Sequence, residues 1–218
     1  MIARLQPIRV LITGFGPFPG VFENASAGFA EQLAVEAGQR RPGWLVRAAV
    51  LPVDWIAAPQ RLTALVAETQ PAVCLHAGVA ASARGLVVET HARNTAAPKS
   101  DASGRLPTAQ VLRNDAPALL LPAASTARLV AHAAAGGLPV TASARAGDYV
   151  CNALFFHALW LVRQQAATRQ VAFVHLPVAP IWPELALEAG LRLLDALCAL
   201  SGARPAIRAA GADLSARA

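Results

Sequence analysis

Three residues that lie far apart in the sequence have side chains that together could perform nucleophilic catalysis: Cys151, His175 and Glu89. An ionised thiol is a nucleophile, an imidazole can move its proton, and a carboxylate can orient the imidazole. No G-x-S-x-G elbow, H-E-x-x-H helix or complete phosphate-binding loop competes with this set. The residue types therefore indicate a cysteine hydrolase, if the fold brings the three side chains together.

Cys151 lies at the predicted start of a helix, because apolar residues follow it at helical spacing. These residues are Leu154, Phe155, Ala158, Leu159 and Val162. A helix N-terminus stabilises anions, so it lowers the pKa of a cysteine placed there and raises the thiolate fraction. The alternative interpretation is a small buried apolar residue, which is the interpretation that suits Cys74 in a strand and Cys198 on a leucine-rich helix.

The proposed partners of the thiol also have structural alternatives. His175 lies in an apolar segment, where a lone histidine is commonly a hydrogen-bonded core residue. Glu89 lies among valines, and a buried carboxylate is costly unless a group such as an imidazolium pairs with it. His76 and His91 also lie near predicted strand ends, so either could replace His175 as that partner.

The elements that must position these residues are short β-branched segments alternating with alanine- and leucine-rich helical patterns. The predicted strands are 9–13, 46–53, 72–77, 86–92, 139–143 and 170–176, and the predicted helices are 25–37, 55–68, 123–136, 151–166 and 184–200. This alternation predicts an α/β fold, a single-domain three-layer α/β/α sandwich with a largely parallel, mixed central sheet. Because ligands bind beyond the carboxyl ends of such strands, we expect Glu89 and His175 at one edge of the sheet.

Two segments depart from the alternation. Residues 93–121 lack helical periodicity and contain several prolines, so we expect either a surface loop or an excursion with short strands that partly covers a site. The domain is expected to span residues 1–218, with a flexible tail after about residue 203.

The first predicted strand runs into a turn that is rich in glycine and proline, "VLITGFGPFPGVFENAS" at 10–26. A dinucleotide-binding turn needs free backbone N–H groups and a helix that begins inside the motif. Here proline occupies the third glycine position and removes a donor, and the first helix N-cap candidate, Asn24, comes too late. A nucleotide site is therefore disfavoured, which leaves Phe15 and Phe18 in this turn without a role.

Composition limits the function classes further. The 218 residues are 55% hydrophobic with a net charge of +6, but the arginines are scattered and Lys99 is the only lysine, so we expect no nucleic-acid partner. The three cysteines have no C-x-x-C spacing, which favours a reducing, cytoplasmic location. No signal-peptide pattern opens the sequence, and the most apolar region, 116–144, is too interrupted to span a membrane.

Four short blocks of the sequence stand out: "AGDYVCN", "VAFVHLP", "LITGFGPFPG" with "ENAS", and "ETHARN". Together they resemble motifs of the pyroglutamyl peptidase I (pyrrolidone-carboxylate peptidase) family. The block "AGDYVCN" with the following phenylalanine pair resembles the cysteine motif, and "VAFVHLP" resembles the histidine motif. The block "LITGFGPFPG" with "ENAS" resembles the family's opening, although Ala25 replaces a proline, and "ETHARN" resembles the glutamate motif. The blocks occur in the family's order.

The resemblance implies that Cys151 is the nucleophile, His175 the general base and acid, and Glu89 the residue that orients the histidine. It implies a peptide substrate with an N-terminal pyroglutamyl group, no metal or organic cofactor, no membrane partner, and compatibility with a homo-oligomer. The substrate-binding residues that it implies are Phe15, Phe18, Asn24, Val79, Tyr149 and Val150. The two phenylalanines would then be walls of a pocket for the five-membered lactam ring.

Departures from the family pattern lie around the expected pocket. Val79 replaces a commonly polar residue, Thr90 and His91 replace a basic–apolar pair, and "KSDASG" is one residue shorter than the usual P-D-N-x-G loop. Acyl hydrolysis is therefore better supported than strict pyroglutamyl specificity. The alternatives are a cysteine hydrolase of the same fold that acts on a different small acyl amide, and a non-catalytic binding member.

Overall fold

The central feature of the fold is a six-stranded mixed sheet with strand order β2-β1-β3-β8-β4-β7. The computed structural model describes residues 6–135, 137–164, 167–178 and 183–202. The strands are β1 (Ile8–Phe15), β2 (Trp44–Leu51), β3 (Val73–Val79), β4 (Leu86–Glu89), β5 (Ala92–Arg93), β6 (Leu119–Leu120), β7 (Val140–Ser143) and β8 (Gln170–Leu176). Strands β2, β1, β3 and β8 run parallel, whereas β4 runs antiparallel to β8 and parallel to β7.

Helices cover both faces of the sheet, which confirms the predicted three-layer α/β/α sandwich. In the described part of the chain they are α1 (Ala25–Arg40), α2 (Ala57–Thr69), α3 (Thr126–Ala134), α4 (Val150–Gln164) and α5 (Pro183–Ser201). Helices α1, α3 and α5 pack together on one face, and α2 packs against α4 on the other. None of the described helices is long and apolar enough to cross a membrane.

Strand β8 shows how the sequence pattern divides the core between the two faces. All seven of its residues are buried. Val171 and Phe173 belong to the apolar cluster under α2 and α4, whereas Ala172, Val174 and Leu176 belong to the cluster under α1, α3 and α5. Because side chains alternate along a strand, His175 faces the same helical layer as Phe173.

The glycine-rich turn after β1 serves to dock a helix. Asn24 is the N-cap of α1: its side-chain oxygen accepts from the Ser26 N–H at 3.2 Å, and its Nδ2 donates to the Gly16 carbonyl at 2.9 Å. A Cβ on Gly14 would lie 2.0 Å from the Ser26 carbonyl oxygen. Only glycine therefore allows the first turn of α1 to approach β1 so closely, and the Asn24 N-cap prediction is confirmed.

Residues 94–118, which we call the excursion, leave the main sheet between β5 and β6. These two short strands pair antiparallel, which confirms the prediction of an excursion with short strands. The excursion is fixed near α2, since the Ala102 N–H donates to the Val53 carbonyl at 2.9 Å and Trp55 Nε1 donates to the Lys99 carbonyl at 3.0 Å. The predicted strand 86–92 is divided into β4 and β5, and the predicted tail lies outside the described residues.

Candidate active site

The thiol and the imidazole occupy one recess above a glycine. His175 is the last residue but one of β8, and its parallel neighbour on β3 is Gly78. A Cβ on Gly78 would lie 2.9 Å from Cys151 Sγ and 3.3 Å from His175 Cδ2. Helix α4 therefore brings the thiol of Cys151 next to the backbone of β3 at Gly78, where the absent side chain leaves room for both groups.

The imidazole of His175 is bonded to the carboxylate of Glu89. His175 Nδ1 lies 2.8 Å from Glu89 Oε1, and the two side chains are 6% and 2% exposed. Val87 is directly opposite His175 in the antiparallel β4–β8 ladder, so Glu89 is the diagonal neighbour on the same face. Glu89 and His175 lie together as expected, but the reason differs: β4 runs antiparallel to β8, so the register of this ladder joins them and not a shared carboxyl edge.

The charge state of the imidazole follows from its two partners. Burial by itself lowers the pKa of His175, but hydrogen bonding to Cys151 and to Glu89 outweighs burial and raises the pKa to about 9. The imidazolium is therefore the favoured form at neutral pH, because both neighbours stabilise the charged ring. This arrangement suits a thiolate–imidazolium pair with the carboxylate behind it.

The other two cysteines lack such an environment. Burial raises the pKa of Cys74 to about 12, and burial followed by the charge of Asp195 raises the pKa of Cys198 to about 12. Both thiols therefore stay protonated at neutral pH. Cys151 is partly exposed and lies in the first turn of α4, as expected from its spacing.

The start of α4 also offers hydrogen-bond donors next to the thiol. The first N–H groups of a helix have no carbonyl of a preceding turn to bond, so they are available to an anion. The side chain of Val150 is 1% exposed and lies in the core. Only the backbone of Val150 can therefore offer a polar contact. Tyr149 packs edge-on against Trp55 with ring centroids 5.2 Å apart, and its hydroxyl donates to the Ser100 carbonyl at 2.8 Å.

The remaining predicted substrate residues lie at the ends of β1 and β3. Phe15 is 2% exposed and is part of the apolar cluster under α2 and α4, against which Phe18 and Cys151 also pack. Val79 ends β3 next to Leu176 of β8. Asn24 uses both ends of its amide within the turn and α1, so its contact with a substrate stays a prediction, as do the roles of the two phenylalanines.

The structure does not place either alternative histidine beside Glu89. His76 is buried in the core, its Nδ1 lies 2.8 Å from Thr13 Oγ1, and burial lowers its pKa to about 3. His91 Nδ1 lies 3.0 Å from the hydroxyl of Thr90. No group of three or more His, Cys, Asp or Glu side chains in the described ranges is arranged to hold a metal ion.

Sequence reasoning missed two residues that shape the site, Gly78 and Asn152. Asn152 is fully buried, and its side chain bonds the backbone of Arg93 and Thr95. Its place directly after Cys151 in "AGDYVCN" was the available signal. Gly78 had no such signal, because only the pairing of β3 with β8 shows that it lies under the thiol.

A thiol, an imidazole and a carboxylate in contact on a three-layer α/β/α sandwich define a cysteine hydrolase. A sequence profile of the family described as pyroglutamyl peptidase matches residues 8–211. The pyrrolidone-carboxylate peptidase of Deinococcus radiodurans is 34% identical over 173 residues, which are 77% of this chain and 77% of that protein. The chain therefore belongs to the pyroglutamyl peptidase family.

Solved structures agree with this assignment at the level of the fold. The pyrrolidone carboxyl peptidase from Thermococcus litoralis aligns with a TM-score of 0.79 and 25% identity, over 93% of this chain and 99% of that chain. Pyroglutamyl peptidase I from Bacillus amyloliquefaciens aligns with a TM-score of 0.80 and 22% identity, over 89% of this chain and 98% of that chain. The sandwich is thus shared along nearly the whole of those proteins.

Proposed function

We propose that this protein is a cysteine peptidase that removes an N-terminal pyroglutamyl residue from peptides through a thioester acyl-enzyme. The observation that carries the proposal is the imidazole of His175, held between the Cys151 thiol and the Glu89 carboxylate in a member of this family. Each of the three groups has one role in acyl transfer, as nucleophile, proton carrier and orienting carboxylate.

In the first half of the reaction, the Cys151 thiolate attacks the carbonyl carbon of the scissile amide, which joins the pyroglutamyl residue to the rest of the peptide. The carbonyl oxygen becomes an oxyanion that accepts hydrogen bonds from backbone N–H groups in the first turn of α4. As the tetrahedral intermediate collapses, the scissile C–N bond breaks and the His175 imidazolium gives its proton to the departing amine. The pyroglutamyl group is then held as a thioester and the imidazole is neutral.

In the second half, the neutral imidazole takes a proton from water as that water attacks the thioester. The C–S bond breaks, free pyroglutamate leaves, and the thiolate–imidazolium pair is restored. Glu89 keeps the proton on Nδ1 of His175 throughout, because Oε1 of Glu89 accepts a hydrogen bond from that nitrogen. Nε2 of His175 is therefore left to give and take the proton in the reaction. No step requires a group from outside the chain other than water and the substrate.

The pocket for the lactam ring is proposed at the end of β1 and β3. Phe15 and Phe18 would supply flat apolar walls, while Val79, Val150 and Tyr149 would border the ring near the thiol. Asn24 would act by holding the turn that carries Phe18, because its amide bonds the Gly16 carbonyl. A ring with one carbonyl and one N–H needs few polar contacts to fix its direction.

The proposed partners and location follow from the same residues. The substrate is a peptide with an N-terminal pyroglutamyl group. Cys74, Cys151 and Cys198 are all free thiols, which supports the reducing cytoplasm as the place of action. A homo-oligomer stays a prediction.

The activity is tested with pyroglutamyl, prolyl and acetyl-alanyl aminomethylcoumarin as parallel reporters. We expect hydrolysis of the pyroglutamyl reporter, and a loss on the order of 10³-fold or more in Cys151→Ser, because the hydroxyl is a weaker nucleophile. Cys198→Ala is the matched control and keeps wild-type turnover. Hydrolysis of another reporter in place of the pyroglutamyl one would show that the protein acts on a different acyl group. Unaltered turnover in Cys151→Ser would show that the thiol is not the nucleophile.

A further inference from the structure

The side chain of Asn152, the residue after Cys151, bonds one backbone segment, residues 93–95, and we call this set of three hydrogen bonds the clamp. Asn152 is fully buried in the first turn of α4. Its Oδ1 accepts from the Arg93 N–H at 2.8 Å, and its Nδ2 donates to the carbonyls of Arg93 and Thr95, each at 2.9 Å. Both the acceptor and the donor group of the amide are therefore committed to residues 93–95.

The pairing with Arg93 has the form of a strand ladder. The Asn152 amide exchanges one N–H···O bond in each direction with the same residue, as two backbone residues do in a hydrogen-bonded antiparallel pair. Such a pair fixes direction as well as distance. The first turn of α4 is therefore held against β5 in one orientation.

The two sides of this clamp carry different parts of the active site. On one side, Cys151 precedes Asn152 on the same helical turn. On the other, Arg93 lies four residues after Glu89, the residue that bonds His175. The clamp is thus a short connection between the helix that delivers the thiol and the chain that delivers the carboxylate.

We propose that Asn152 is a positioning residue for the reaction, which holds the thiol of Cys151 in register with the imidazole of His175. This inference rests on the proposed function, since the register matters only if the thiol and the imidazole react together. A displacement on the order of 1 Å between reacting groups can lower a rate by about 10²-fold, so a loose first turn of α4 has a large effect.

Asn94 provides a matched control within the same chain. It is 7% exposed, its Nδ2 donates to the carbonyls of Arg113 at 2.7 Å and Ala116 at 3.2 Å, and its Oδ1 accepts from the Arg113 N–H at 2.9 Å. It therefore makes the same number and type of bonds as Asn152. These three bonds lie within the excursion and include none to α4.

The experiment compares Asn152→Ala, the isosteric Asn152→Asp and Asn94→Ala. Each is measured for thermal unfolding, for kcat and KM on pyroglutamyl aminomethylcoumarin, and for the pH dependence of Cys151 alkylation by iodoacetamide. We expect both Asn152 variants to lower kcat by about 10- to 100-fold with KM within about threefold. Their alkylation profile moves to higher pH, toward that of an unpaired thiol. Asn94→Ala lowers the unfolding temperature comparably but keeps the wild-type alkylation profile.

A folded Asn152→Ala or Asn152→Asp with the wild-type alkylation profile would overturn the proposal, and so would equal kcat losses in the Asn152 and Asn94 variants. If both Asn152 variants fail to fold, Asn152 is a folding residue and the proposal is wrong. The alkylation measurement does not depend on turnover. If Cys151 reacts in wild type and becomes unreactive in Asn152→Ala, the result supports positioning even if the pyroglutamyl reporter is not cleaved. Failure of that reporter in wild type counts against the proposed function alone.

Discussion

Gly78 is the smallest residue at the site, and the space that it leaves is filled by reacting groups. We predict that Gly78→Ala lowers kcat at least about tenfold, because its Cβ would lie 2.9 Å from Cys151 Sγ and push the thiol away from His175. The nearest atoms are side-chain atoms, including Phe173 Cζ at 3.1 Å, so the fold is retained at a cost of about 1–3 kcal/mol. Steady-state kinetics and urea unfolding measure the two effects.

The matched control for this change is Gly38→Ala. Gly38 is exposed on α1, and a Cβ there meets no atom within 4 Å. We expect this variant to keep wild-type kcat and to gain slightly in stability, because alanine is the better helix former. Equal kcat values for Gly78→Ala and Gly38→Ala would show that the recess above β3 is not where the reacting groups meet.

At the scale of elements, the packing of α1 against β1 depends on a close contact between Gly14 and the main chain of α1, which cannot move aside as a side chain can. Gly14→Ala would place a Cβ 2.0 Å from the Ser26 carbonyl oxygen, and here the obstacle is the main chain of α1. We predict a loss of about 3 kcal/mol or more in the free energy of unfolding, measured by urea denaturation. Gly28→Ala, in α1 with no atom within 4 Å, is the control and is expected to stabilise the protein. A Gly14→Ala protein as stable as wild type would mean that α1 can shift without cost.

The elements themselves were predictable because each carries its own periodicity. Within the part of the chain that the structure describes, the alternation of apolar strands with helical patterns predicted all six strands of the main sheet and the five helices, and the position of Asn24 predicted a helix cap. The direction of β4 was not predictable, because pairing with β8 and β7 decides it and neither partner is adjacent in the sequence. For the same reason the sequence did not show that the register of β4 against β8, and not a shared strand end, brings Glu89 to His175.

The same division holds within the candidate site. Cys151 was found from helical spacing, and Glu89 from the cost of a carboxylate among valines. The roles of all three catalytic candidates came from motifs that resemble a family. Gly78 contacts residues that are distant in the chain, so no local pattern marks it, and the one local sign of Asn152 is its place directly after Cys151.

At the scale of the whole molecule, three histidines contribute to the pH dependence of stability, and they act in opposite directions. Burial lowers the pKa of His76 to about 3 and of His157 to about 4. The unfolded chain binds these protons below about pH 6.5 while the folded chain does not, so stability falls as the pH falls through that range. His175 has a raised pKa of about 9, so its contribution is complete below about pH 6.5 and is lost as the pH rises toward 9.

We therefore predict that the free energy of unfolding is highest near neutral pH and declines on both sides. Urea denaturation at about pH 4.5, 6.5 and 9.5 measures it, and the value near 6.5 should be the largest. His175→Gln should flatten the alkaline decline, and His76→Gln should flatten part of the acid decline. A stability that keeps rising from about pH 6.5 to 9.5 in wild type would contradict the stabilised imidazolium.

The way in which the excursion is attached has a consequence for redesign. Asn152, Trp55 and the Tyr149 hydroxyl all donate to main-chain carbonyls of the excursion, those of Thr95, Lys99 and Ser100. Since a carbonyl is present whatever the residue, these three positions can be randomised while the attachments persist. Libraries at Thr95, Lys99 and Ser100 therefore vary the outer side chains of the excursion on an unchanged scaffold.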